Sequence, residues 1–309
     1  MPIFQANNKK LTQIKEVNID LEKDLQKLTE ENLETVFGLK FITSEFSLKN
    51  FRIDTLAFDL ETKSFVIIEY KKDRSFSIVD QGFTYLSLMI NNKADFILEL
   101  GGKLKNKISR EDIDWSQSKV LFLANSFTVY QQNAISFQGL AFELWEVKKY
   151  DNNTILYNQI KASETNESID TVTKNKKYKD VSREVKKYTV DDHFKPDWTT
   201  SRELFQELRE KILNIDSRIE EKPVKYYIGY KINTSVLVGI GVQKEKLVFE
   251  LWRVRPKDLR DPEGKLIYRK RSFEFYNKHI SDYYIKSKDD IDYGIFLAKQ
   301  VYEKFFKNN

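Results

Sequence analysis

Phe65-Val66-Ile67-Ile68 is an unbroken apolar run, followed at once by Glu69-Tyr70-Lys71. A run of this kind suits a strand covered on both faces of a sheet. Strand side chains repeat every two residues, so Glu69 and Lys71 point to one side. A second strand-like run, Phe51 to Phe58, comes before it, and the polar patch from Asp59 to Ser64 between them reads as the turn of a β-hairpin. Folding the hairpin between Glu61 and Thr62 sets Asp54 opposite Glu69. Directly paired side chains have Cβ atoms about 5 Å apart, close enough for two carboxylates to share one divalent cation. The hairpin therefore predicts a cluster of Asp54, Glu69 and Lys71 at its polar end.

Oxygen ligands in small number, with positions left for water and phosphate, suit Mg²⁺ or Mn²⁺. Such an ion neutralises phosphoryl oxygens and makes its bound water a better nucleophile, and an ammonium two residues on can orient that water. A lone Glu-x-Lys on a strand is most often a solvated face. The partner Asp54, the buried run and the helix carrying Gln81 argue against that here. The pattern of Asp54, fourteen residues, then Glu69-Tyr70-Lys71 resembles the PD-(D/E)xK nuclease superfamily. The segments RID, VIIEYK and QGFTYL look more closely like the branch containing the NucS/EndoMS-type endonucleases. That resemblance implies an αβββαβ core with a mixed sheet, with Asp54 on the second strand and Glu69 on the third. It also implies a metal held by Asp54, Glu69 and the carbonyl of Tyr70. Lys71 would then orient or polarise the water, with Gln81 and Glu22 completing the site. Glu22 enters because EKDLQKLTEENLETV resembles the opening helix of that branch, although helix dipoles favour acids in any first turn.

Composition narrows the alternatives. The 309 residues contain no cysteine and only two histidines, His193 and His279. Disulfides, thiolate nucleophiles, Cys-ligated zinc and iron–sulfur clusters are thereby excluded, and a His-based triad is disfavoured. With 40% hydrophobic residues the chain is globular in character. No run approaches bilayer length and the first residues carry no signal-peptide core, so the expectation is a cytoplasmic protein without a membrane partner. The sequence has no P-loop, no nucleophile elbow and no fixed-period repeat. Gly239 and Gly241 stand in a strand-like run with no helix after them, which rejects a dinucleotide fingerprint.

In chain order, residues 1–18 show no clear periodicity. A helix is predicted over Asp20–Val36 with Gly38 as its stop. A strand follows at Leu39–Phe46, then the hairpin, then a helix from Ser77 or Ile78 to Asn91. Strands are predicted at Ala94–Leu100 and Lys119–Ala124, with a polar loop between them that could reach over a substrate. A helix at Phe127–Phe137 and strands at Leu140–Lys148 and Thr154–Ile160 close the first domain, residues 1–160. Residues 161–197 read as a polar linker. Residues 198–309 read as a small basic α+β domain: a helix at Ser201–Leu213, strands at Val224–Ile232, Ser235–Val242 and Lys246–Arg255, and a helix at Asp289–Phe306. This second module looks like an uncharacterised domain of unknown function often found behind such nuclease domains. The fold class expected is thus α/β, with a restriction-endonuclease-like core followed by a small α+β domain.

Charge is uneven, at net −2 over residues 1–158 and +6 over 195–309. A basic C-terminal third could attract a polyanion by counterion release. Lys72, Arg74 and Tyr85 beside the hairpin, and Arg253, Arg255, Arg269, Lys270 and Arg271 in the second domain, are the candidate nucleic-acid contacts. The expectation is a Mg²⁺- or Mn²⁺-dependent nuclease acting on nucleic acid, DNA ahead of RNA, with a homodimer left open. The alternative is a nuclease-like fold kept as a non-catalytic nucleic-acid-binding or protein-interaction module. A third reading gives the binding role to the second domain, through Trp252, Tyr268, Phe273 and Tyr276. NucS/EndoMS-type enzymes carry a DNA-binding, dimerising domain ahead of the nuclease; this chain has only a short segment there, so mismatch recognition does not carry over.

Overall fold

The computed structural model describes residues 2–17, 22–71, 77–103, 110–137, 140–161 and 175–307. The chain divides into two compact units, Met1–Lys187 and Tyr188–Asn309.

The first unit begins with a separate hairpin of β1 (Ile3–Asn7) and β2 (Lys10–Ile14), followed by the short β3 (Glu16–Val17). Helices α1 (Glu22–Glu31) and α2 (Leu33–Phe37) replace the single predicted helix. The break falls at Asn32, and Gly38 ends α2 with φ 70°, a left-handed turn that glycine enters without strain. The main sheet then forms from β4 (Lys40–Leu48), β5 (Phe51–Asp59), β6 (Ser64–Lys71), β7 (Lys119–Ala124), β8 (Phe142–Tyr150) and β9 (Ile155–Ile160). Its strand order is β3-β8-β7-β6-β5-β4, with β9 paired to β8. Strands β4, β5 and β6 run antiparallel, while β6-β7 and β7-β8 are parallel, so the sheet is mixed.

Between β6 and β7 lie α3 (Ile78–Asn91) and α4 (Lys93–Gly101). Ser77 caps α3 by accepting the Asp80 N–H. The strand expected at Ala94–Leu100 is α4 instead. Its two buried residues, Phe96 and Leu100, are one helical turn apart, a period that a seven-residue window does not separate from a buried strand. Helix α5 (Val129–Ala134) follows β7 and opens with a Thr128–Gln131 capping box.

Both faces of this sheet are covered. Phe58, Phe65, Ile67, Phe122 and Leu144 pack on one side with Phe83, Leu86 and Met89 of α3. Val66, Ile68, Tyr70 and Leu121 pack on the other with Leu25 and Leu33. Strand β6 is accordingly buried from Ser64 to Tyr70.

The polar stretch read as a linker contributes helix α6 (Lys176–Glu184) to this unit. Val181 and Val185 are buried in the core on the α3 side, and the Tyr178 ring stacks on Phe83 at 4.1 Å between centroids. Three apolar contacts at helical spacing suffice to dock a helix that is polar on its other faces.

The second unit holds a six-stranded antiparallel sheet: β10 (Glu220–Pro223), β11 (Ile228–Ile232), β12 (Ser235–Gln243), β13 (Lys246–Trp252), β14 (Ile267–Tyr268) and β15 (Ile280–Ile285). Its order is β10-β11-β12-β13-β15-β14. Helices α7 (Thr199–Leu213) and α9 (Asp289–Phe305) cover one face, and α8 (Ser272–Tyr276) is a short turn before β15. Leu208, Ile212, Leu297 and Val301 pack there on Tyr230, Ile240, Phe249 and Tyr283. The opposite face carries a smaller cluster of Tyr227, Val236, Trp252 and Ile280. The first unit is thus α/β with a mixed sheet, and the second is α+β with an antiparallel one. Among the described residues no helix is long and apolar enough to cross a membrane.

Candidate active site

The β5–β6 register is the one the hairpin predicts. Thr55 pairs with Ile68, Leu56 with Ile67, and so on to Asp59 with Ser64. Asp59 sets the turn by accepting the N–H groups of Glu61 and Thr62, and Lys63 takes a positive φ of 54°. One step beyond Thr55–Ile68, Asp54 stands opposite Glu69 at the open end of the pair. There Asp54 Oδ2 accepts the Tyr70 N–H at 3.0 Å. A side-chain carboxylate thus receives a strand amide on which charged-state hydrogen bonding is strong.

Glu69 is 3% exposed. Its Oε1 accepts from Lys71 Nζ at 2.6 Å and from Gln81 Nε2 at 2.7 Å. Its Oε2 is buried and has no hydrogen-bond partner among the described residues. Gln81 also donates to the Tyr85 hydroxyl at 3.0 Å, and that hydroxyl donates to the Arg52 carbonyl at 3.3 Å. Strand parity places Asp54, Glu69 and Lys71 on the α3 side of the sheet, and the one-turn spacing of Gln81 and Tyr85 aims both at Glu69.

The electrostatics are those of two acids crowded together out of water. Burial, and then the Glu69 carboxylate, push the Asp54 pKa up to about 7. The Tyr70 N–H and Lys71 pull the other way without cancelling that rise. Burial and the nearby Glu69 also raise the Tyr85 hydroxyl well above the ordinary phenol range. An orphaned carboxylate oxygen beside a reluctant second carboxylate fits a hard divalent cation, which would satisfy the first and favour ionisation of the second. Asp54 and Glu69 would hold it. Tyr70 lies between Glu69 and Lys71 with its ring turned to the other face, where its hydroxyl sits near Thr55.

Glu22 does not join them. It is exposed in the first turn of α1, and among the described residues no three acidic or histidine side chains come together as a metal-holding group. The residue that α1 does present is Gln26, one turn later, whose Nε2 donates to the Asp54 carbonyl at 2.9 Å and to Ser44 Oγ at 3.0 Å. It braces the strand end that carries Asp54. Its burial is visible only in the structure; in the sequence it is one amide among the polar residues of α1.

The expected nucleic-acid contacts are scattered. Lys72 and Arg74, together with part of the polar loop before β7, lie outside the described residues. Tyr85 is buried against Glu69 and Gln81, so it belongs to the inside of the site and offers no surface to a ligand backbone. In the second unit Arg255, Lys270 and Arg271 are exposed, and Arg255 reaches His279 at 2.7 Å. Arg253 lies over the Phe305 and Phe306 rings. Arg269 is spent on two acids, Glu250 and Asp282, because strand pairing draws it into the sheet face; its charge is neutralised there. Lys23 and Lys27, one turn apart on α1, line a cavity of about 670 Å³ with Arg52, Glu30, Glu45, Ser44, Ser47 and Gln26, so its walls carry both signs of charge. Arg52 is there paired with Glu45 at 2.7 Å.

Comparison with known proteins gives two matches. Residues 190–298 match a family described as "Domain of unknown function (DUF5655)". An "Uncharacterized protein" of Haemophilus influenzae is 39% identical over 302 residues, covering 97% of this chain and 99% of that protein. No solved structure matches the chain at a significant level.

Proposed function

The chain belongs to the same family as the Haemophilus influenzae protein, and we propose that it is a metal-dependent nuclease that hydrolyses phosphodiester bonds in nucleic acid, DNA ahead of RNA. Its first unit would be a restriction-endonuclease-like core of the PD-(D/E)xK type. The observation that carries the reading is a buried Glu69 Oε2, with no partner among the described residues, in a carboxylate close enough to Asp54 to help push its pKa up to about 7. The order α1, β4-β5-β6, α3, β7 supports it from the side of topology.

Mg²⁺ or Mn²⁺, bound by Asp54, Glu69 and the Tyr70 carbonyl, would supply Lewis-acid activation of water and neutralise phosphoryl charge. Lys71 is fixed by Glu69, so its ammonium has one orientation from which to steer the attacking water or meet charge growing on phosphorus. Gln81 holds Glu69 and Tyr85 at once, locking the carboxylate rotamer. Hydrolysis forms one P–O bond to water and breaks the P–O bond to the leaving sugar oxygen. Lys23 and Lys27 would supply positive charge for the adjoining phosphates, Arg52 being already paired with Glu45.

The test is a cleavage panel of labelled single-stranded, duplex and branched DNA and of RNA, with Mg²⁺ and with Mn²⁺. Wild-type protein should cut at least one of these, and Asp54→Asn or Lys71→Met should slow cutting by roughly a hundredfold or more while leaving thermal unfolding cooperative. Equal rates in wild type and both variants would remove the proposal. Mn²⁺-independent nucleic-acid binding without cleavage would favour the non-catalytic module.

A further inference from the structure

In the second unit a single row of paired residues crosses the sheet: Gly229 on β11, Gly239 on β12, Glu250 on β13, Asp282 on β15 and Ile267 on β14. Register partners share a face, and this row lies on the face opposite α7 and α9. Glycine on two neighbouring strands leaves room that the Tyr227 ring, Trp252 and Glu250 occupy. A Cβ at Gly239 would come within 2.9 Å of Glu250 Oε2 and 3.3 Å of Trp252 Nε1, so those groups use the room the glycine leaves.

Glu250 is 5% exposed and Asp282 9%. Arg269 forks between them, Nη2 donating to each at 2.7 Å and Nε to Asp282 at 3.0 Å. Burial raises the pKa of both acids, and when both are ionised two carboxylates and one guanidinium leave one negative charge in excess. Glu250 Oε2 and Trp252 Nε1 are both buried, with no hydrogen-bond partner among the described residues. Glu250, Asp282 and Arg269 line a cavity of about 330 Å³, and Gly241, Tyr226 and Tyr284 are among its other walls. One face of Tyr284 already draws a cation, Lys246 Nζ, at 4.4 Å. Buried charge of this kind stabilises a fold poorly, and nothing in the proposed phosphodiester chemistry uses it.

We propose that this cavity binds a guanidinium group, free or at the end of an arginine side chain. Such a group is flat, and the cavity walls offer it two tyrosine rings, Tyr226 and Tyr284, and the bare backbone of Gly241 beside the acids. Its charge cancels the excess on the triad, and its N–H donors serve carboxylate oxygens at the cavity wall. The site is independent of the nuclease reading, since every residue in it belongs to the second unit.

The experiment is titration calorimetry on the full chain with agmatine as the free guanidinium and N-acetyl-arginine amide as the peptide form, with guanosine monophosphate as a third arm. Binding of one or both guanidinium probes at roughly millimolar affinity or tighter is expected. Glu250→Gln should weaken it at least tenfold, and Lys71→Met should leave it unchanged. Preference between the two probes tells a small molecule from an arginine-bearing peptide. Should Glu250→Gln fail to fold, Tyr226→Ala, at a residue 68% exposed, must weaken binding instead. No heat from either guanidinium probe, wild-type affinity in Glu250→Gln or in Tyr226→Ala, or binding of guanosine monophosphate alone would overturn the proposal.

Discussion

Each unit sets two acids opposite each other on adjacent antiparallel strands and brings one base to them, but the bases differ. In the first unit Lys71 bonds Glu69, while Asp54 relies on a backbone amide. In the second, Arg269 holds Glu250 and Asp282 with one planar fork. A guanidinium can tie two carboxylates into a fixed frame, whereas an ammonium on a flexible stem remains a point charge. The lysine site keeps a titratable acid near neutrality and an unserved oxygen, features suited to exchange with solvent ions. The arginine site is braced by its fork, with Glu250 Oε2 left without a partner among the described residues.

That contrast can be broken most forcefully by deleting the bases. Arg269→Met leaves two buried acids without their cation and should cost about 3–5 kcal/mol. Lys71→Met, next to a Glu69 still held by Gln81, should cost about 1 kcal/mol. Hydrogen exchange resolved by peptide reports the units separately; equal losses would erase the distinction drawn above.

A pH series sharpens it further. In the first unit folded Asp54 holds its proton up to about 7, against 3.8 when unfolded. The folded state binds more protons in that interval, so the contribution of Asp54 to stability falls as pH rises from about 4 to about 7. Asp54→Asn removes the slope and should gain about 2 kcal/mol at pH near 8 in the absence of metal, with solvent screening allowed for. Divalent-ion affinity, read by thermal shift with Mn²⁺, should climb over the same interval as the proton leaves. A flat wild-type profile would show that Asp54 is an ordinary carboxyl.

Two glycines of the second sheet differ in the room around them. Gly239→Ala forces a Cβ to 2.9 Å from Glu250 Oε2 and from the Tyr227 ring, and should cost about 1–3 kcal/mol. Gly241→Ala meets nothing closer than 3.5 Å and should stay within about 0.5 kcal/mol of wild type, as read from urea midpoints.

The hairpin was legible in the sequence because parity and turn chemistry together allow one register: a slip of one residue would turn Phe65 and Ile67 away from α3. Gly38 was legible for a similar local reason, its positive φ. Other features depended on distant packing. Helix α4 hides in an apolar window too short to carry a period, and α6 hides in a polar stretch where only Tyr178, Val181 and Val185 face inward. Glu22 and Gln26 share one face of α1, and sequence chose the acid where the structure places the amide against Asp54. Arg269 sits in a basic run that suggests a surface, yet pairing of β14 with β15 brings it to Asp282. A charge run cannot announce which of its members finds a partner thirteen residues away.

The docking of α6 has a practical consequence for anyone dissecting the protein. A fragment cut after Ile160 would look complete by its strands, but it would strip the Phe83 ring of its stacking partner and discard Val181 and Val185 from the core. It would also lose the Lys186 N–H to Ser116 carbonyl tether at 2.8 Å. Such a piece should be sticky and short-lived, and inactivity measured on it would say nothing about the chemistry of Asp54 and Glu69. Cloning boundaries for the first unit belong at Lys187 or beyond.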